Sequence, residues 1–88
     1  MKKDIKKSAK RRLSIAGGQI RGIEEMVDQE KYCVDIITQI EAVREALAGV
    51  GSLILRNHLE THVAHDIRHG HEKRATEEIL KVYRLAQK

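Results

Sequence analysis

An 88-residue chain without proline, phenylalanine or tryptophan, and rich in Lys, Arg, Glu, Ala, Ile and Leu, has room for one domain over residues 1–88 and a helical composition. Its single cysteine excludes an internal disulfide. No apolar run is long enough for a signal peptide or a membrane span, so the expected location is the cytoplasm. The net charge of +4 gathers at the N-terminus, where Lys2, Lys3, Lys6, Lys7, Lys10, Arg11 and Arg12 face only Asp4, with Arg21 following. Such a cluster suits a polyanion, and equally a solvated helix start. With Tyr32 and Tyr83 as the only aromatic residues there is no stacking platform for single strands, so duplex phosphates are the expected contact.

The first helix is expected from near Asp4 or Ser8 to about Asp28, because Leu13, Ala16, Ile20, Ile23 and Val27 recur at three- and four-residue steps. Gly17, Gly18 and Gly22 interrupt it, which suggests close packing against another helix backbone. Gly17-Gly18-Gln19 lacks both the spacing and the preceding strand of a phosphate-binding loop. After the polar break at residues 28–31, a long second helix follows. Its seam of Ile36, Ile40, Val43, Leu47, Val50 and Ile54 suits packing against partner helices, and continues to His58 and then His62 or His65. The pattern breaks around His69-Gly70-His71, and a third helix is expected from about Glu72 to Ala86 with Ile79, Leu80, Tyr83 and Leu85 or Ala86 as its apolar face. The architecture predicted is all-α, three helices per chain, two of which pair with a second copy as a four-helix bundle.

Cys33, His58 and His62 are the residues with chemistry to offer. Thiolate and imidazole suit a soft or borderline metal ion, although a lone cysteine is often a small buried hydrophobe and a histidine pair four apart arises by chance. On one long helix, Cys33 and His58 would be separated by roughly 37 Å at about 1.5 Å per residue. One chain could not close that site, whereas two antiparallel copies would bring Cys33 of one beside His58 and His62 of the other. No paired acid and base, nucleophile elbow or other enzyme constellation is legible, so no enzymatic activity is expected. A small metal-storage protein would need the Cys/His site but not the basic first helix.

Three segments together resemble the copper-sensitive operon repressor (CsoR) family: Arg12-Leu13 through Gly17-Gly18-Gln19-Ile20-Arg21-Gly22-Ile23; Lys31-Tyr32-Cys33-Val34-Asp35 with Thr38-Gln39-Ile40; and Asn57-His58-Leu59-Glu60-Thr61-His62-Val63. The resemblance spans nearly the whole chain. It implies a dimer of antiparallel bundles that pairs into a flat homotetramer, and a transcriptional repressor that binds operator DNA without a helix-turn-helix and releases it when an inducer occupies the Cys/His site. By the same resemblance the inducer ligands fall on Cys33, His58 and His62, and the partners that orient them on Tyr32 and Glu78. The DNA-facing residues fall on Lys10, Arg11, Arg12, Arg21 and Arg56.

The departures bear on the inducer. The copper branch usually has cysteine where this chain has His62, although Cys-His-His variants belong to it; the nickel/cobalt branch adds a histidine from the N-terminal arm, and residues 1–10 contain none. Formaldehyde-responsive members pair the cysteine with an N-terminal proline, whereas this chain begins Met1-Lys2, and persulfide sensors need two cysteines. Cu(I) accepts three ligands and prefers a thiolate, while Ni(II) and Co(II) usually take four to six donors. The expected inducer is therefore Cu(I). Ni(II), Co(II) and Zn(II) are the alternative metals, and formaldehyde acting through Cys33 is the alternative reactive ligand.

Overall fold

The computed structural model describes residues 1–87, and every regular element among them is helical. Helix α1 spans Lys3–Asp28 and α2 Cys33–His58; a π turn at Leu59–Val63 leads into the short α3, Ala64–Arg68, and α4 spans Glu72–Ala86. Because helical residues continue without a break from Cys33 to Arg68, the chain forms three helical rods. Its contacts divide into an N-terminal unit over Lys2–Ile54 and a C-terminal unit from Leu55 onward.

In the N-terminal unit, the side of α1 that turns inward carries Ala9 and Ala16, both buried, with Ile5, Ile23 and Met26 half-buried. On α2 the inward positions fall every seventh residue, with Ile36 half-buried and Val43 and Val50 buried. A heptad step nearly restores the angular position on a helix, so these residues form one line. Leu13, Ile20 and Val27 on α1 and Ile40 and Leu47 on α2 belong to the same apolar stripes, yet remain exposed. The two helices leave between them an open groove lined by Ile20, Ile23, Val27, Ile40 and Val43. Nor do the α1 glycines meet a helix backbone. A Cβ on Gly17 or Gly18 would first meet the Arg21 guanidinium, at 3.6 and 3.8 Å, and one on Gly22 would have no neighbour within 4 Å among the described residues. Those distances are ordinary van der Waals contact, so within the protomer a Cβ fits at each of the three positions.

Helix α1 ends in a Schellman motif: Lys31 N–H donates to the Met26 carbonyl and Glu30 N–H to that of Val27, both at 3.0 Å. The left-handed position that this motif prefers to fill with glycine is held by Glu30, at φ +52°. The same motif ends α3, where His71 N–H donates to the Asp66 carbonyl at 2.7 Å and Gly70 N–H to that of Ile67 at 3.3 Å. Here Gly70 takes the left-handed position, at φ +76°. The C-terminal unit is a hairpin in which α3 packs against α4, around buried Val63 and Ala75.

Candidate metal centre

His58 is the last residue of α2 and His62 lies within the π turn. That turn is defined by the Ala64 N–H, which reaches back five residues to the Leu59 carbonyl, while the Thr61 hydroxyl donates to the Asn57 carbonyl at 2.7 Å. A π turn winds more residues into each turn than the 3.6 of an α-helix, so residues four apart come closer to axial alignment. The two imidazoles accordingly stack, with ring centroids 5.2 Å apart and planes inclined by 14°.

Glu78 reaches His58 from α4, its Oε2 3.4 Å from His58 Nε2, with each side chain about two-thirds buried. The distance exceeds that of a well-formed hydrogen bond, but a carboxylate can only accept a proton from the ring. With a proton on Nε2, the Nδ1 lone pair would be the one free to hold a metal, and a carboxylate behind a ligand histidine is the usual orienting arrangement. His62 is exposed.

The thiol belongs to the other unit. Cys33 is the first residue of α2, free and exposed. Tyr32 precedes it, 69% exposed, its carbonyl accepting the N–H groups of Asp35 and Ile36. Among the described residues no three His, Cys, Asp or Glu side chains of one protomer gather as a metal cage. Within the C-terminal unit the structure thus stacks His58 on His62 and sets Glu78 beside His58, while Cys33 and Tyr32 belong to the N-terminal unit. The donor types present, one thiol and a stacked imidazole pair, suit a soft or borderline cation.

The basic residues are exposed along the helices. Lys3, Lys6, Lys7 and Lys10 line a shallow groove on α1, and Arg11, Arg12 and Arg21 continue the charge. Arg12 lies along α2, its Nη1 3.8 Å from where a Cβ on Gly49 would stand. Arg56 is already engaged, its Nε donating to Glu60 Oε1 at 2.9 Å.

Sequence reasoning missed Asp66. Its carboxylate is 5% exposed, with Oδ1 3.8 Å from Arg74 Nη1 and 3.9 Å from His65 Nδ1. Its Oδ2 has no hydrogen-bond partner among the described residues. The available signal was spacing, since Asp66 continues the four-residue step from His58 to His62. His65, the other continuation of the α2 seam, is exposed and stacks on His69 at 4.0 Å.

The C-terminal hairpin carries a stacked histidine pair, and the N-terminal unit carries a strongly basic helix. Residues 5–84 match the family described as metal-sensitive transcriptional repressors, and the chain belongs to that family, whose members are repressors and not enzymes. It is 41% identical over 73 residues to the copper-sensing transcriptional repressor CsoR of Bacillus subtilis, covering 83% of this chain and 72% of that protein. CsoR of Mycobacterium tuberculosis is 37% identical over 75 residues, which are 85% of this chain and 63% of that protein. The crystal structure of the copper-sensing repressor CsoR with Cu(I) from Geobacillus thermodenitrificans superposes with a TM-score of 0.92 at 34% identity, covering 100% of this chain and 92% of that one. The fold, all-α with three helical rods, is the CsoR fold.

Proposed function

We propose that this protein holds double-stranded operator DNA and releases it when Cu(I) binds Cys33 of one protomer together with His58 and His62 of its partner. The observation that carries the reading is the His58, His62 and Glu78 arrangement, in which one imidazole faces a carboxylate at 3.4 Å and the next stacks on it with centroids 5.2 Å apart. Cu(I) supplies a soft acceptor for the thiolate and two imidazole nitrogens. The chain's own part is to present Cys33 at one end of α2 and the histidines at the other, with Tyr32 and Glu78 orienting the ligands.

Support for the homodimer, and for its pairing into a flat tetramer, comes from Leu13, Ile20, Val27, Ile40 and Leu47, large apolar side chains that an isolated protomer leaves in water. Lys10, Arg11, Arg12 and Arg21, with a smaller share from Arg56, contact DNA phosphates. Residues 1–88 act as one sensing and DNA-binding domain in the cytoplasm. Among the described residues no helix is long and apolar enough to cross a membrane.

Complementation between variants tests the shared site. Cys33→Ala and His62→Ala should each fold, bind a duplex selected by this protein from a randomised pool, and fail to release it with Cu(I). Mixing and re-equilibrating the two should restore partial release, because each heterodimer regains one complete site. A stable monomer at micromolar concentration in sedimentation, or no recovery in the mixture, would overturn the shared site. Release by Ni(II), Co(II) or Zn(II) alone, or by formaldehyde with no metal response, would replace Cu(I) as inducer.

A further inference from the structure

We infer that Asp66 and Arg74 are positioning residues that couple the inducer site to α4; the inference rests on the metal-responsive reading above. Two polar rungs link the rod ending in α3 to the antiparallel α4. One is His58 to Glu78, 3.4 Å apart, and the other is Asp66 to Arg74, 3.8 Å apart. They lie eight residues apart on the first rod and four apart on α4. His58, His62 and Asp66 follow one another at four-residue steps along one rod, and Arg74 and Glu78 are four apart on α4, which places them on one face of that helix.

Asp66 occupies the corner of the hairpin. Its backbone carbonyl is the 2.7 Å acceptor for His71 N–H in the Schellman motif, so the turn holds its main chain in place. Its carboxylate is nearly inaccessible to water and incompletely satisfied, because Arg74 stands beyond hydrogen-bonding distance of Oδ1 and Oδ2 has no partner among the described residues. A buried carboxylate in that condition is sensitive to small displacements of its counter-ion. Movement of α4 toward the rod lets the Arg74 guanidinium close on both oxygens, and movement away strips the carboxylate of that counter-ion.

The consequence follows from the two rungs sharing α4, where Arg74 and Glu78 are four residues apart. A ligand that turns the His58 ring alters its contact with Glu78, and the position α4 then takes is constrained one turn away by Arg74 against Asp66. Arg74 is 62% exposed at its side chain and can be changed without opening the core. It contacts neither the metal ligands nor, in this reading, the DNA phosphates. Its role is to give α4 a defined resting position, without which metal binding at the histidines is not transmitted.

The test compares wild type, Arg74→Met, Arg74→Lys and Asp66→Asn, measuring Cu(I) affinity by anaerobic chelator competition and duplex affinity with and without Cu(I). The duplex is the one selected by wild type from a randomised pool. Arg74→Met should keep the Cu(I) affinity and the metal-free duplex affinity within about threefold of wild type, but lower the ratio of duplex affinities without and with Cu(I) by about tenfold. Arg74→Lys, which keeps the charge, should recover most of that ratio, and Asp66→Asn should lower it as Arg74→Met does. A purely structural role predicts instead that stability and both affinities fall together while the ratio holds. A ratio in folded Arg74→Met within about threefold of wild type, with wild type releasing normally, overturns this inference and leaves the repressor reading standing. If wild type selects no duplex, or fails to release it with Cu(I), both fall.

Discussion

Replacing Glu78 by glutamine keeps the shape of the side chain and removes the charge that faces His58. The amide can still accept a proton from Nε2, so what is lost is the difference between a carboxylate and an amide as the orienting partner. Orienting groups of this kind typically contribute tenfold to a hundredfold to metal affinity. Here the contact is 3.4 Å and each side chain is about one-third exposed, so solvent screens part of the interaction and the effect belongs at the lower end. The expected outcome is a loss of about tenfold in Cu(I) affinity, equivalent to about 1.4 kcal/mol. Anaerobic competition against a colorimetric Cu(I) chelator measures it. Repeating the substitution in a His58→Ala background closes a double-mutant cycle, and Glu78→Gln should then have little further effect. An affinity unchanged within about twofold would show that the carboxylate does not orient the ligand. A loss beyond about a thousandfold would make Glu78 a metal ligand in its own right, and would equally refute the reasoning.

Neutralising Arg12 or Arg21 with glutamine should weaken duplex binding and reduce its salt slope by about one, as read from binding isotherms across a salt series. The same change at Arg56 should do less, because Glu60 already holds that guanidinium at 2.9 Å; an equal or larger effect would show that the pair opens on DNA. Glu30→Gly should stabilise the protein by roughly 0.5–1 kcal/mol, relief of the left-handed backbone outweighing glycine's greater freedom when unfolded. Thermal melts should then rise by a few degrees, at about 4–8 °C per kcal/mol for a chain of this size. Gly22→Ala should stabilise by roughly 1 kcal/mol, since a Cβ there meets nothing within 4 Å in the protomer. A fall in melting temperature together with loss of assembly in sedimentation would instead place a second chain against Gly22.

Helix content and helix limits were legible in the sequence. The absence of proline, the four- and three-residue apolar steps and the polar break near Asp28 anticipate α1 and α2, and the break at Gly70 anticipates an α4 that runs from Glu72 to Ala86. These are local properties, set by propensity, periodicity and the left-handed turn that glycine accommodates. Which members of each stripe turn inward was not legible. Periodicity marks an apolar arc on a helix, but Ala16 is buried while Leu13, Ile20 and Val27 are exposed, because burial depends on where α2 crosses α1. Nor was the π turn at Leu59–Val63, since a shift from four-back to five-back hydrogen bonding is a choice of the backbone and leaves no mark in the spacing of side chains. The histidine spacing suggested that His58 and His62 share a face, whereas the stacking of their rings and the approach of Glu78 depend on that turn and on the return of α4. Asp66 is the clearest case. As a carboxylate between His65 and Ile67 it reads as a surface residue, and only the packing of α4 across α3 takes it out of water, since burial belongs to the neighbours that cover a side chain and not to the side chain itself.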